Sequence, residues 1–172
     1  MSELFTAMVP RLETARLTLR EYRREDFEAF VAHLTDPAST VHLSTSDRST
    51  AWRTFNSHAG MWALYGAGWW MMERRDTGQA VGCIGAFYRE GAGGLEIGWN
   101  TWREHWGQGF AGEAAEAVVV YAFEVRQEPR VHALISEGNT SSIRVAERAG
   151  LSFETETDLN GKPVGMYTLT RP

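Results

Sequence analysis

Cysteine is nearly absent from this chain, since Cys83 is the only one among 172 residues. A single cysteine excludes an internal disulfide, and residues 1–10 contain no charged stretch followed by a long apolar one. No apolar run approaches the roughly 20 residues that a membrane-spanning helix needs. These absences predict a cytoplasmic protein that has no membrane partner.

A strong charge of either sign is missing as well. The net charge is −5, and the 17 lysines and arginines form no long run. Because backbone phosphates are bound by clustered basic residues, this composition argues against nucleic acid as a main partner. A positively charged amine is the more compatible class of substrate.

Metal-binding patterns are also missing. The five histidines are scattered without the spacing that is typical of metal ligands: His33, His42, His58, His105 and His132. We therefore expect no metal, and we interpret each histidine as a surface residue or as one with a hydrogen-bond partner. Cys83 lies in an apolar pattern that is typical of a strand, so we expect a buried and unreactive thiol.

The length and the hydrophobic pattern predict the fold class. With 172 residues and 43% hydrophobic content, the chain is long enough for one sizeable core and too short for two. We expect a single domain over residues 1–172, with 1–10 as an N-terminal arm, in a monomer or a homodimer. Hydrophobic periodicity alternates between strand and helix, which predicts an α/β fold with a mixed sheet. The predicted strands cover 16–22, 69–74, 80–88, 95–99 and 130–136, the predicted helices 26–36, 49–65, 110–128 and 140–149, and a hairpin turns at Asn160-Gly161. On the second helix, the residues expected to face inward are Trp52, Phe55, Ala59 and Trp62.

The most informative segment is a glycine-rich turn that leads into an alanine-rich helix at residues 106–114 (WGQGFAGEA). Gly107 and Gly109 lack the Cβ atoms that would hold a ligand away from the backbone. The first-turn N–H groups of a helix that begins near Phe110, together with the helix dipole, favour an anion there. The segment therefore predicts a pyrophosphate site made by the backbone of Gly107, Gln108, Gly109, Phe110, Ala111 and Gly112.

Other kinds of glycine-rich turn fit this segment less well. A Walker loop needs Gly-Lys-Ser/Thr at the start of the helix, whereas Gly109 is followed by Phe110. A dinucleotide fingerprint needs wider glycine spacing and an acidic residue about 20 positions further on. The alternative that stays open is a tight connection between strand and helix that binds nothing.

Three segments resemble, in order and spacing, the GNAT superfamily of acetyl-CoA-dependent N-acetyltransferases. They are Glu96-Ile97-Gly98-Trp99, residues 105–111 (HWGQGFA), and residues 139–145 (NTSSIRV) followed by Gly150. The similarity is greatest to the RimJ/RimL type, which modifies N-terminal amines of proteins, and it extends to residues 12–20 and 26–36. The resemblance implies the GNAT fold: a mixed, mostly antiparallel, twisted sheet that is splayed at its centre and has helices on both faces.

The resemblance also implies that acetyl-CoA is the co-substrate. Its pantetheine arm would lie where one strand separates from the next in the sheet, beside Ile97, Gly98 and Trp99. Asn139 would bind the pantetheine amides. Two simpler roles stay open: Gly98 leaves space for a neighbouring tryptophan, and Asn139 and Ser142 cap a helix.

The chemistry that follows is attack of a neutral amine on a thioester. Glu96 is the candidate base, acting directly or through a water; the alternative is a partly exposed strand residue paired with an arginine. No motif places a histidine beside it. Many GNAT enzymes protonate the leaving thiolate with a tyrosine, but the matching position here is Ala146. The resemblance to the RimJ/RimL type, which places a serine in Asn-x-x-Ser, implies instead that Ser142 is the donor. A backbone N–H within residues 97–99 is expected to bind the carbonyl oxygen.

Three functions stay open at this point. The first is acetylation of a protein or peptide N-terminal α-amine, whose pKa of about 8 demands only a modest base. The second is acetylation of a small amine such as a polyamine, an amino acid or an aminoglycoside, which a deep acidic pocket would favour. The third is a non-catalytic acyl-CoA-binding module. Acceptor contacts are expected from residues 38–48, the second helix and the last hairpin, and from aromatic walls formed by Trp69, Trp70, Trp99 and Trp102.

Overall fold

One eight-stranded sheet organises the chain in a computed structural model that describes residues 8–91 and 93–172. The strands are β1 (Leu12–Glu13), β2 (Leu17–Arg20), β3 (Gly68–Arg74), β4 (Ala80–Phe87), β5 (Leu95–Thr101), β6 (Arg130–Ser136), β7 (Ser152–Leu159) and β8 (Lys162–Thr170). Their order in the sheet is β1-β2-β3-β4-β5-β6-β8-β7. Within the described residues only β5 and β6 pair in parallel, so the predicted mixed, mostly antiparallel sheet is confirmed.

Within the described residues, four α-helices connect these strands: α1 (Phe27–Thr35), α2 (Arg48–Tyr65), α3 (Phe110–Val120) and α4 (Thr140–Arg148). The start of α2 is fixed by Asp47, whose carboxylate accepts a hydrogen bond from the Thr50 amide at 2.6 Å. Gly66 ends the helix with a left-handed φ of 60°. None of the helices in the described part of the chain combines the length and apolar character that crossing a membrane requires.

The two faces of the sheet carry two separate cores. Along β3, Trp70 and Met72 join the core that contains α3 and α4, whereas Trp69 and Met71 join the core that contains α1 and α2. This division follows from the period of two in a strand, which sends successive side chains to opposite faces. The prediction of helices on both faces is thereby confirmed.

The centre of the sheet opens between β5 and β6. Among the residues that the structure describes, these strands pair only at Leu95 with Val131 and at Glu96 with His132. Beyond that point β5 continues to Thr101 and β6 continues to Ser136 without further pairing between them. The predicted splay is therefore present, and it leaves unpaired backbone on both sides of a gap.

The last hairpin agrees with its sequence prediction, whereas helix α2 agrees only in part. The hairpin at Asn160-Gly161 is confirmed, with φ values of 54° and 80° that suit a tight turn between antiparallel strands. The inward stripe of α2 was wrong in part, because Trp52 is 47% exposed and Ala59 is exposed as well. Of the predicted N-terminal arm, residues 1–7 lie outside the described residues.

Candidate active site

A cleft of about 900 Å³ runs through the gap in the sheet. At one end it reaches the glycine turn before α3, and at the other it reaches the aromatic side chains that α1 and α2 place on the sheet. Every sequence-predicted site residue except Gln108 lines this cleft. The Gln108 side chain instead lies 3.3 Å from the Glu104 carbonyl oxygen, to which it donates.

The glycine turn has the backbone shape that anion binding requires. Gly107 and Gly109 adopt left-handed φ values of 74° and 80°, and α3 begins at Phe110 as predicted. Among residues 8–91 and 93–172, no side chain caps the first-turn amides of α3, so these N–H groups are available to an anion. Arg16 holds the turn in place, because its Nη1 donates to the Gln108 carbonyl oxygen at 2.9 Å.

Two arginines at this end of the cleft were missed by the sequence reasoning. Arg144 and Arg148 lie four residues apart on α4 and both line the cleft. Arg148 crosses α3 at Gly112, where an added Cβ atom would lie 2.7 Å from its Cδ, and its Nε donates to Glu116 at 2.7 Å. The four-residue spacing was the available signal, because such residues share a helix face.

The gap between β5 and β6 is lined by Ile97, Gly98 and Trp99, as expected. At Gly98, an added Cβ atom would lie 3.1 Å from Cη2 of Trp69. The simpler interpretation of Gly98, as space for a tryptophan, is therefore supported by the geometry, while its backbone still borders the cleft. Uncapped amides, unpaired strand backbone and nearby guanidinium groups together suit a long ligand that carries phosphates and amides.

Glu96 is more constrained than expected. It is only 4% exposed, and Nε and Nη2 of Arg89 each donate to one of its oxygens at 2.7 Å. The hydrogen bonds to Glu96 hold the pKa of Arg89 above its ordinary value. Both the predicted contact with the cleft and the alternative pairing with an arginine are therefore present, but the expected partial exposure was wrong.

A histidine also lies beside Glu96, although no motif placed one there. His132 Nε2 is 3.8 Å from Glu96 Oε2, and the two residues pair across the last rung that joins β5 and β6. Burial lowers the pKa of His132, and the Glu96 carboxylate opposes that shift. A neutral imidazole can therefore lie against the carboxylate near pH 7.

Asn139 and Ser142 lie together at the start of α4. Asn139 Oδ1 accepts hydrogen bonds from the Ser142 amide at 3.2 Å and from Ser141 Oγ at 2.9 Å. Helix capping, the simpler role, is thus present for Asn139. Ser142 Oγ makes no hydrogen bond within residues 8–91 and 93–172, and it faces the cleft from a half-buried position. Ala146 is fully buried.

The acceptor end of the cleft is largely aromatic. Its lining includes Phe30, Leu34, His58, Trp69 and Phe87, with residues 39–46 contributing part of the rim. Of the four tryptophans expected to wall this pocket, Trp69 and Trp99 do so. Trp70 and Trp102 do not line the cleft, because both point into the hydrophobic cores.

Two of the remaining histidines are buried, and the cysteine is buried as expected. His33 and His105 are less than 9% exposed, so neither is a surface residue. Asn100 lies close enough to His33 to oppose the lowering of its pKa by burial, although neither ring nitrogen makes a hydrogen bond of good geometry among the described residues. Burial raises the pKa of Cys83 to about 12, which confirms a buried, unreactive thiol. The described residues hold no group of three or more potential metal ligands.

Comparison with known proteins finds relatives along nearly the whole chain. The acetyltransferase (GNAT) domain family matches residues 16–152. The uncharacterized protein YkkB of Bacillus subtilis (strain 168) is 33% identical over 161 residues, which cover 91% of this chain and 94% of that protein. The uncharacterized N-acetyltransferase YoaA of the same organism is 30% identical, with 96% of this chain and 99% of that protein covered.

Solved structures agree with these relatives. The crystal structure of the acetyltransferase from Agrobacterium tumefaciens str. C58 matches with a TM-score of 0.86 and 29% identity, covering 99% of this chain and 100% of that one. Two structures at 16% identity share the fold alone. One is RimL, a ribosomal α-N-protein acetyltransferase in complex with coenzyme A, with a TM-score of 0.76 over 94% of this chain and 98% of that one. The other is the aminoglycoside acetyltransferase AAC(6')-Ib in complex with coenzyme A, with a TM-score of 0.75 over 90% and 95%.

Proposed function

This chain belongs to the GNAT acetyltransferase family, and on that basis we propose that it transfers the acetyl group of acetyl-CoA to the N-terminal α-amine of a peptide or protein. Acyl transfer from acetyl-CoA to an amine is the activity of the family. The choice of an α-amine as the acceptor goes beyond that family activity and is our proposal. The RimJ/RimL type, the cytoplasmic location and the monomeric or homodimeric state stay predictions.

The low negative charge of the cleft favours a peptide as the acceptor over a polycation. Among the described residues that line it, Glu96 is the only carboxylate, and Arg89 already neutralises it. A polyamine or an aminoglycoside carries several positive charges, which need several anionic partners when they leave water. A peptide with one α-amine needs few, and the aromatic wall at Phe30, Trp69 and Phe87 suits its apolar parts.

Different parts of the cleft have different roles in the proposed transfer. Acetyl-CoA, when bound, supplies a thioester with an electrophilic carbonyl carbon. The first-turn amides of α3, assisted by Arg148, hold the phosphates, and Asn139 holds the amide portion of the ligand. Glu96 receives the proton of the attacking amine through its remaining lone pairs or a water, and Ser142 Oγ donates to the departing sulfur.

The weakness of the available base supports an α-amine. Glu96 has both oxygens engaged by Arg89, so few of its lone pairs are free to meet the N–H groups of a lysine ammonium. An α-amine with a pKa of about 8 is partly neutral near pH 7, whereas a lysine amine near 10.4 is rarely so. The site therefore suits amines that arrive already deprotonated.

A peptide that carries both a free N-terminus and one lysine tests this proposal. Incubation with acetyl-CoA at neutral pH, followed by site-resolved mass spectrometry, is expected to show faster acetylation of the α-amine, by a margin that shrinks as the pH rises. The matched control is the same peptide with a blocked N-terminus. Preferential acetylation of the lysine, or acetylation of spermidine or kanamycin but of no peptide, would overturn the proposed acceptor.

A further inference from the structure

His58 stacks on a tryptophan at the acceptor end of the cleft. Gly85 of β4 and Gly98 of β5 face each other in the sheet, and the Trp69 indole lies over both of them. Added Cβ atoms at Gly85 and Gly98 would lie 2.6 Å and 3.1 Å from that ring, so side chains at these two positions would crowd it. The His58 imidazole then stacks on Trp69, with ring centres 4.2 Å apart and planes within 2°.

The two ring nitrogens of His58 differ in their surroundings. Nδ1 lies 3.1 Å from the Tyr22 hydroxyl oxygen. Nε2 has no hydrogen-bond partner in the described part of the chain, yet it is not among the buried atoms that lack one. Because His58 lines the cleft, Nε2 is open to a molecule bound there.

The Tyr22 hydroxyl also lies near the buried thiol of Cys83, close enough for each group to influence the pKa of the other. When Tyr22 donates its hydroxyl hydrogen toward that sulfur, its oxygen accepts the hydrogen on Nδ1 of His58. The proton of the neutral imidazole then resides on Nδ1, and Nε2 carries a free lone pair.

Burial lowers the pKa of His58 to about 3, so the ring is uncharged near neutral pH. An uncharged ring does not repel a cationic or partly cationic acceptor. A group that holds a proton so weakly is also a poor general base. The available chemistry at Nε2 is therefore acceptance of a hydrogen bond.

We infer that His58 is the residue that binds and orients the acceptor amine, whose N–H donates to Nε2 while Nδ1–H donates to Tyr22. Such a contact uses a hydrogen of the amine and leaves the nitrogen lone pair free to attack the thioester. The inference rests on the proposed function only in requiring that the acceptor is an amine, of whatever class.

Steady-state kinetics on three variants test the assignment. His58→Phe keeps an aromatic ring on Trp69 but removes the acceptor nitrogen, and His58→Gln restores an acceptor oxygen. Since one hydrogen bond contributes about 0.5–1.5 kcal/mol, His58→Phe is expected to raise the KM of the amine about 2- to 13-fold and to leave the KM of acetyl-CoA unchanged. His58→Gln is expected to recover part of the loss. Tyr22→Phe, which removes the partner of Nδ1, is expected to raise the amine KM about 2- to 3-fold.

The outcomes separate this inference from the proposed function. The series is run on the amine that the wild-type protein acetylates fastest, so a preference for lysine or spermidine would overturn the α-amine proposal and leave His58 under test. An unchanged amine KM in folded His58→Phe, with acetyl-CoA affinity intact by calorimetry, would overturn the inference. If His58→Phe fails to fold, an unchanged amine KM in folded Tyr22→Phe would overturn the inference.

A direct measurement does not depend on turnover. The ¹⁵N chemical shifts of the His58 ring report which nitrogen carries the hydrogen. Addition of a dipeptide amide with a free α-amine, in the presence of coenzyme A, is expected to move the Nε2 signal while it stays unprotonated. A signal that shows hydrogen on Nε2 in that mixture, or that does not move, would contradict the inference.

Discussion

Arg89 engages both carboxylate oxygens of Glu96, with Nε and Nη2 each 2.7 Å from one of them. This fork holds the carboxylate at the last rung before β5 and β6 separate, where the acceptor end of the cleft meets the gap. The pairing fixes the orientation of the Glu96 carboxylate and leaves few of its lone pairs free for another hydrogen-bond donor.

Replacement of Glu96 tests that limited role. Glu96→Gln keeps the shape of the side chain and removes the charge, so turnover is expected to fall more at low pH, where little free amine exists, than at high pH. A full pH profile of kcat measures the effect. Arg89→Lys, which keeps a cation without the two-pronged geometry, is the control. A Glu96→Gln profile parallel to that of the wild type, with the same maximal rate, would exclude the base role.

Ser142 offers a second test of the proposed chemistry. Ser142→Ala removes the unbonded hydroxyl, and turnover is expected to fall about 10²-fold, the low end for a positioned proton donor. Ser141→Ala is the matched control, because Ser141 Oγ is engaged with Asn139 instead. A loss of acetyl-CoA affinity with turnover intact would show that Ser142 serves binding or capping alone.

Arg148 is predicted to contribute to phosphate binding. Because a hydrogen bond to a charged group contributes about 1.5–3 kcal/mol, Arg148→Ala is expected to weaken acetyl-CoA binding about 10-fold or more and to reduce its salt dependence. Calorimetry at two ionic strengths measures both quantities. Arg53→Ala is the control, since Arg53 is an exposed arginine of α2 that does not line the cleft. Equal affinities for the two variants would contradict the assignment.

His58 also predicts how stability depends on pH. In the unfolded chain its imidazole takes up a proton near pH 6.5, whereas burial keeps the folded ring neutral down to about pH 3. Protonation therefore favours the unfolded state, and the contribution of the neutral ring is lost as the pH falls through that window. Melting temperatures of His58→Asn are expected to decline less than those of the wild type between about pH 7 and about pH 4. His42→Asn, at an exposed histidine, is expected to behave like the wild type.

The sequence predicted the parts of the site that lie in one continuous segment. The glycine turn and the start of α3 follow from local backbone chemistry, and the splay followed from the family resemblance. The contact between Glu96 and His132 joins residues far apart in the chain, and it depends on a strand register that no local pattern specifies. The stack of His58 on Trp69 depends likewise on how α2 lies on the sheet.

Errors on α2 have a similar cause. Its apolar residues fit more than one helical stripe, so Trp52 was expected inside, whereas Ala51, Phe55 and Trp62 are the residues that α2 buries. The true phase is set by packing against α1 and β3 and not by propensity.

The two rungs between β5 and β6 have a mechanical consequence. In the described part of the chain, only Leu95 with Val131 and Glu96 with His132 join a five-stranded half-sheet to a three-stranded one. A bound ligand whose amides form hydrogen bonds with both β5 and β6 would link the two strands across the gap. The junction of the two half-sheets would then be stiffer with ligand bound than without it. The backbone amides of β5 and β6 along the unpaired part of the gap would then exchange with solvent hydrogen more slowly when acetyl-CoA is bound. Their exchange rates would therefore report the fraction of protein that holds the ligand.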